Sequence, residues 1–400
     1  MKWPLHRVSD FGRVITGKTP STKNSNYWDG QFLFVTPSDL SFRHYYCSKT
    51  ERCVSDEAKE RFKNQVIPEN SVMFTSIGNT IGKCAISSAE SLTNQQINSI
   101  IVNEHNDFRF VYYLLCNNVE TVKSLGASSA TPIVNKTEFQ QIRLKAPDLP
   151  EQQRIGDILS AYDSLIENNR RRIQLLEQSA RMLYKEWFVH LRFPGHEHVK
   201  IKNGVPEGWE RKTVGDVAEV LSGFAFKSST FQSEGNFAIV TIKNVQDGQF
   251  DTVCSSSIDQ PPKEMQDHCY LRTGDVLLSL TGNIGRVCMV HGDGFLLNQR
   301  VAKLQAKDVF TRSFVYCMFR NEGFQSLLTN LSYGVAQQNL SPVKMKSIEL
   351  NVPPNRLIED FTDVAEPLMD QILILNRENE KLRQARDILL PKLMSGKVEV

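Results

Sequence analysis

The sequence predicts an α+β protein: two pseudo-symmetric α/β domains of one fold, separated by two long helices that form an antiparallel coiled coil. Three observations carry this. The chain repeats itself, each copy mixes strand-like and helical segments, and each copy runs into an unbroken heptad pattern. The repeat comes first, because a missed repeat misreads the whole architecture. Trp3, Val8, Asp10, Val14 and Gly17 recur 206 residues further on as Trp209, Val214, Asp216, Val220 and Gly223. FLFVTPSDL from Phe32 returns as FAIVTIKNV from Phe237, and TNQQ from Thr93 as LNQR from Leu297. Gly78, Asn79, Ile81 and Gly82 return as Gly282, Asn283, Ile284 and Gly285. FVYYLLCN from Phe110 returns as FVYCMFRN from Phe314. Two similar folds on one chain tend to pack about a pseudo-two-fold axis, which suits a target with two half-sites.

The first copy holds short β-branched and aromatic runs (FLFVT, SVMFTSI, KCAIS, NSIIV) between Gly, Pro and Asn, the signature of strands. RFVYYLLCNNVETVKSL reads as one helix. The second copy reads alike, with FAIVTI, DVLLSL, RVCMV and VAKLQ as strands. The expected boundaries are 1–149 for the first head, 150–194 for a central long helix, 195–353 for the second head, and 354–400 for a C-terminal long helix and tail.

Each long helix rests on a heptad. Ile155, Leu159, Tyr162, Ile166, Asn169, Ile173, Leu176, Ala180, Leu183 and Trp187 step by four and three without a slip. Phe361, Ala365, Leu368, Ile372, Leu375, Asn379, Leu382, Arg386, Leu389 and Leu393 repeat the pattern. Such a stripe needs a partner helix, and the other copy is the simplest one. An antiparallel pairing sets Ile155 against Leu393, Ala180 against Leu368 and Trp187 against Phe361. It also sets Asn169 against Asn379. Two readings of the asparagines stand: a mutual amide pair that fixes register, or two residues tolerated in a partly wet seam. Helices of about 40 residues are roughly 60 Å long, so the coil reads as a ruler that sets half-site spacing.

Composition bounds the function. The 400 residues exceed one ordinary core, and the net charge of +2 gives no whole-surface attraction to polyanions. Any nucleic-acid surface is therefore a local patch. The eight cysteines show no CxxC pair and read as free, mostly buried thiols in a reducing compartment. No apolar run approaches the ~20 residues of a membrane span, so no membrane partner and a cytoplasmic location are expected.

The search for catalysis is mostly negative. GNTIGK from Gly78 resembles a phosphate loop, but its first Gly is one position late and Cys84 follows the Lys. A Gly-rich turn explains it better, and such a turn can approach a DNA backbone closely. NVPPN at Asn351 is a poor match to a methyltransferase motif and reads as a helix start. His190, His196 and His198 read as surface histidines at a domain boundary, with no metal expected. Arg170, Arg171 and Arg172 read as a solvated face, the alternative being contact with phosphates or acidic partners.

The two copies differ in their loops. SFRHYYCSKTERCVSDEAKERFKNQ is rich in Arg and Lys, whereas its counterpart around QFDTVCSSSIDQPPKEMQDHC is not. Shared positions should build the scaffold, and unshared polar loop positions are candidates for base contact. Drift in solvent-exposed loops is the competing explanation. The candidates are Arg43, Lys49 and Lys63 in the first head, and Lys227, Ser228, Lys243, Asn244, Gln337, Gln338 and Asn339 in the second.

TGKTPSTKNSNYWDGQFLFVTPSDL and, in the second copy, LSGFAFKSSTF, GDVLLSLTGNIGRVCMV, LLNQR and YGVAQQNLSPVKMKSIELNVPP together resemble the target-recognition domains of type I restriction–modification specificity subunits. APDLPEQQRIGDILSAYDSLIENNRRRIQLLEQ resembles the helical region that follows them. The likeness covers nearly the whole chain, in order and twice. One departure is that the first helix opens with PEQQRI and the second with PPNRLI.

The resemblance implies a non-catalytic subunit that binds double-stranded DNA at a bipartite, asymmetric target. It implies two DNA adenine methyltransferase subunits and translocase/endonuclease subunits as partners. S-adenosylmethionine, ATP and Mg are then expected on those partners and no cofactor on this chain. The C-terminal tail would return to the first head. Two rivals stand beside this reading: an enzyme with an unseen site, and a scaffold bridging two identical partners without reading sequence.

Overall fold

The computed structural model describes residues 3–41, 44–126, 132–332 and 339–398. The chain divides into two compact units. One comprises residues 1–168 and 380–400, and the other residues 169–379. Each holds one α/β head and a stretch of both long helices. Arg43, Gln337 and Gln338 lie outside the described residues.

Both heads are built from the same two sheets. In the first head, one sheet runs in the order Gly12–Thr16, Ile97–Val102, Val72–Thr75, Cys84–Ser87, Tyr46–Cys47. The second head repeats the order with Ala218–Ser222, Val301–Ala306, Val276–Ser279 and Val287–Met289. The other sheet has the order Arg52–Val54, Trp28–Val35, Ser91–Thr93, Val66–Ile67 in the first head. Its counterpart is Ser257–Ile258, Phe237–Val240, Phe295–Leu297, Tyr270–Leu271. In both, the two central strands are parallel and the outer pairs antiparallel. Apart from the added edge strand Tyr46–Cys47 in the first head, the strand order and orientation are the same, so the repeat in the sequence is a repeat of fold.

The helix expected over RFVYYLLCNNVETVKSL is two helices, Phe108–Asn117 and Val119–Gly126. Asn118 interrupts them, because its side-chain Nδ2 donates to the Leu114 carbonyl at 2.8 Å in place of continued helix. In the second head, Arg312–Phe319 and Glu322–Ser332 form the same pair.

The central long helix spans Leu149–Tyr184 and ends in a π-helical turn, Lys185–Val189. The C-terminal one spans Asn355–Met394. The heptad residues face inward and none of them is exposed. In the unit of residues 169–379, Asn169 Nδ2 donates to Asn379 Oδ1 at 3.0 Å, with both residues buried. Trp187 meets Phe361 edge to face at 6.1 Å between ring centroids, and Ala180 and Leu368 pack in one cluster. In the other unit, Ile155, Leu159 and Leu393 share one core with Trp3. Within each unit the two helices therefore run antiparallel. Asn169→Leu alone is expected to lower stability by about 1–3 kcal/mol, because Asn379 keeps a buried amide without a partner. The double variant Asn169→Leu/Asn379→Leu should recover that loss, as read from urea midpoints.

The Gln152 of PEQQRI has a structural use. Its Oε1 accepts from the Asp107 backbone N–H at 3.1 Å, and its Nε2 donates to Asn106 Oδ1 and the Pro147 carbonyl at 3.0 Å each. At the 206-residue repeat offset Ile358 stands where Gln152 does, and elsewhere on that helix Glu366 accepts from the Ser313 backbone N–H at 3.0 Å. An isoleucine side chain has no amide, so the three Gln152 hydrogen bonds have no equivalent at that position.

All eight cysteines are free and five are buried. Burial pushes the Cys47 thiol up to about 11 and the Cys254 thiol up to about 12. Both therefore stay protonated at neutral pH. His190 pairs with Glu186, and His196 Nδ1 lies 2.8 Å from the Phe193 carbonyl. Arg171 and Arg172 are exposed on the central helix. No helix among the described residues is long and apolar enough to cross a membrane.

Candidate nucleic-acid interface

In each head the repeated sequence blocks, scattered over more than a hundred residues, converge on one edge. Five turns meet there, and the same hydrogen bonds close them in both copies. The first follows the central strand of the second sheet. Asp39 Oδ2 accepts from the Thr36 backbone N–H at 2.8 Å and from the Thr36 hydroxyl at 2.7 Å. In the second head Asn244 Oδ1 accepts from the Thr241 N–H at 2.9 Å and the Thr241 hydroxyl at 3.1 Å. An Asx side chain mimicking a backbone acceptor is what fixes this type of turn.

The Gly-Asn turn lies beside it. In the first head the Lys83 N–H donates to Thr75 Oγ1 at 3.0 Å, and in the second the Arg286 N–H donates to Ser279 Oγ at 3.1 Å. The Thr75 and Ser279 hydroxyls in turn donate to the Thr80 and Asn283 carbonyls. Gly82 and Gly285 sit at φ of 98° and 83°, the left-handed region that glycine enters without strain.

A basic residue ties these two turns together in each head. Lys83 Nζ donates to the Pro37 carbonyl at 2.7 Å. Arg286 donates to Gln246 Oε1, and with its amide oxygen turned inward Asn283 accepts from the same guanidinium at 3.1 Å.

The third turn is Asn-Gln. The Asn94 N–H donates to the Val35 carbonyl at 2.9 Å, and the Asn298 N–H to the Val240 carbonyl at 3.1 Å. Asn94 Oδ1 accepts from the Gln96 N–H at 3.0 Å, and Asn298 Oδ1 from the Arg300 N–H at 3.4 Å. The turn is joined to the Gly-Asn turn, since Ser76 N–H donates to the Gln96 carbonyl and Leu280 N–H to the Arg300 carbonyl.

A fourth segment presses on it. A Cβ on Gly17 would lie 2.2 Å from the Thr93 carbonyl oxygen, and one on Gly223 2.4 Å from that of Asn298, so only glycine fits. The fifth closes the edge. Val134 N–H donates to the Ser76 carbonyl in one head and Leu340 N–H to the Leu280 carbonyl in the other, each at 2.9 Å, and Ile133 bridges to Ile77 as Asn339 does to Thr281.

All the described candidates but one are exposed. Lys243 is exposed in the Thr241–Asn244 turn, next to Ile242, whose Cδ1 lies 3.0 Å from where a Cβ on Gly282 would be. Asn339 is exposed at the Gly-Asn turn. Lys227 and Ser228 are exposed on the chain that leaves Phe224, which pairs with Asn298. Lys49 is exposed two residues from Glu51, whose N–H donates to Asp39 at 2.8 Å. Lys63 is exposed and pairs with Glu60 at 3.0 Å.

Asn244 is the exception and a correction. It is 2% exposed, and besides capping Thr241 its Nδ2 donates to the Asp251 and Val253 carbonyls at 2.9 Å each. Its amide is consumed inside the fold and presents nothing to a base. The basic run of the first head is likewise partly absorbed. Arg52 stacks 3.5 Å from the Trp28 ring centroid, Lys59 pairs with Glu90 at 2.5 Å, and Tyr45 is buried.

Sequence reasoning passed over Gln95 and Gln299. Both are exposed at the tip of the Asn-Gln turn. Their signal was present in the sequence, because the same residue stands at the same place in both repeats.

The fold and this edge define a class: a duplicated polar turn frame whose scaffold is shared and whose exposed side chains mostly differ. The comparisons agree with that class and sharpen it. The family model for the type I restriction modification DNA specificity domain matches residues 1–178 and again residues 206–383. The chain belongs to that family and carries its domain twice. Among relatives, it is 27% identical to the type I restriction enzyme MjaIX specificity subunit of Methanocaldococcus jannaschii, over 100% of this chain and 94% of that protein. It is 24% identical to the MjaVIII specificity subunit of the same organism, over 100% and 93%. The S subunit of a type I restriction–modification system from M. genitalium has a similar fold. Its crystal structure aligns at a TM-score of 0.58 and 15% identity, covering 98% of this chain and 96% of that one.

Proposed function

We propose that this chain is the DNA sequence-specificity subunit of a type I restriction–modification complex. Each head reads one half of a bipartite, asymmetric target in double-stranded DNA, with a nonspecific spacer between the halves. The chain assembles two DNA adenine methyltransferase subunits and the translocase/endonuclease subunits. Methylation and cleavage, with their S-adenosylmethionine, ATP and Mg, belong to those partners. The base-facing set is Lys49 and Lys63 in the first head and Lys227, Ser228, Lys243 and Asn339 in the second.

One observation carries this reading: two heads hold the same turn frame, closed by the same hydrogen bonds, yet offer different side chains from it. A shared frame places both heads alike on a duplex, and differing side chains read different bases. Affinity comes from phosphate contacts and specificity from base edges in the groove.

The test is selection of duplexes from a randomised pool by the full chain, followed by titration at several salt concentrations. The expected result is two separated blocks of fixed bases, and an affinity that falls linearly in log–log form with salt. Equal affinity for random and selected duplexes would favour a scaffold that reads no sequence. Methylation or cleavage of DNA by the purified chain alone would favour an enzyme.

A further inference from the structure

We propose that Gln95 and Gln299 read the same base in the two half-sites, and that this base is an adenine. The inference rests on the DNA-specificity reading above and adds the residue pair and the base it takes.

Both glutamines are exposed at the tip of the same turn. The turn is closed by their neighbours Asn94 and Asn298, whose side chains accept from Gln96 and Arg300. In the first head Gln95 also accepts from the Thr19 hydroxyl at 2.6 Å. In the second head the position corresponding to Thr19 is Ala225, which has no hydroxyl to donate. The glutamine is kept where its intramolecular partner is not. Holding the turn together therefore does not explain the repeat of this residue, and a common external partner does.

The surroundings show the opposite pattern. The next residue is Gln96 in one head and Arg300 in the other, and the nearby Asx turn exposes Ser38 in one and Lys243 in the other. The edge thus combines one constant polar side chain with variable ones. An asymmetric target read by such an edge has one base in common and others that differ.

The chemistry of the amide selects the base. A glutamine lies bidentate on adenine, its Nε2 donating to N7 and its Oε1 accepting from N6. The Thr19 hydroxyl occupies one acceptor position of Gln95 Oε1, which orients the amide plane. The second acceptor position and both Nε2 hydrogens remain for the base.

The experiment exchanges the amide for a carboxylate, which keeps the shape and removes the donor. A carboxylate accepts from cytosine N4. Wild-type, Gln95→Glu, Gln299→Glu and the two alanine variants of the full chain would each select from the same randomised duplex pool. Wild type is expected to fix an adenine at one position of each half-site. Gln299→Glu should move that position toward cytosine in one half-site only, and Gln95→Glu in the other only. Each alanine variant should relax its own position, with discrimination falling roughly 10- to 100-fold and the remaining bases unchanged.

Half-sites that share no adenine would overturn the proposal, as would variants that select the wild-type sequence. So would variants that lose every position of a half-site together, which is the mark of a structural role. If wild type selects no sequence, the DNA-specificity reading falls and takes this inference with it.

Discussion

Asp163→Ala is expected to remove about 3–5 kcal/mol of stability, the usual loss on breaking a buried ion pair from one side. Asp163 lies on the central long helix and its side chain is 2% exposed. One carboxylate oxygen accepts from Tyr113 OH at 2.5 Å, and the other pairs with Arg386 of the C-terminal long helix. One carboxylate therefore binds two helices and the head that packs on them. Burial drives the Asp163 carboxyl above its ordinary range, the Arg386 charge opposing that shift, and burial drives the Tyr113 hydroxyl up as well. Removing the carboxylate leaves a guanidinium that is 12% exposed, with the solvent-facing Asp387 still beside it. Urea denaturation should show the loss directly. Asp163→Ala/Arg386→Met should recover a large part of it, because replacing both buried charges by apolar groups avoids the uncompensated one. If the double variant were as unstable as the sum of the two single ones, the pair would not be the cause.

Arg320→Ala should have an effect of similar size, about 3–5 kcal/mol, with a second consequence that the first lacks. Arg320 is 4% exposed. Its Nε donates to Glu177 Oε1 at 2.9 Å, and Tyr316 OH donates to the same oxygen at 3.0 Å. On its other side Arg320 pairs with Asp247. Asp247 accepts from Gln325 Nε2 at 3.2 Å, and the same amide donates to the Gly285 carbonyl of the Gly-Asn turn at 3.2 Å. A continuous polar chain thus runs from the central long helix to the Gly-Asn turn of the second head. Losing Arg320 should lower the melting temperature and also relax base selection in the second half-site. Selection in the first half-site should stay unchanged, because the corresponding position there is Cys116 and the chain is not built. A variant that loses stability with unaltered selection would separate the anchor from the edge.

The contrast between these two anchors marks how far the sequence could be read. The heptad was legible because burial imposes a period on residue type. The strand segments were legible because short apolar runs between turn residues have few alternatives. The pairing of those strands was not, since the parallel contact of Trp28–Val35 with Ser91–Thr93 joins segments far apart in the chain. The buried charges were also hidden. Asp163 and Glu177 look like any acidic residue on a solvated helix face, and only the fold brings Arg386 and Arg320 to them.

At the turn frame, loop position and polarity pointed to Lys243 and Asn339, which are exposed, and also to Asn244, which is not. An asparagine that closes a turn and one that faces solvent have the same letter. What separates them is whether the backbone nearby needs an acceptor. Gln95 and Gln299 were legible in principle through their recurrence, but recurrence was read as scaffold.

The division of the chain has a consequence for biosynthesis. The unit of residues 169–379 is one continuous segment, whereas the other needs residues 380–398 to complete its core around Trp3, Ile155 and Leu393. Domains fold as they leave the ribosome, usually from the N-terminal end. Here the order is inverted. The head made first lacks Leu393 and Met394, which share its core with Trp3 and Ile155, until the later head has been synthesised. The nascent chain is therefore most exposed to chaperones and proteases over its first half, and stalling or truncation near residue 379 would strand the earlier-made head rather than the later one.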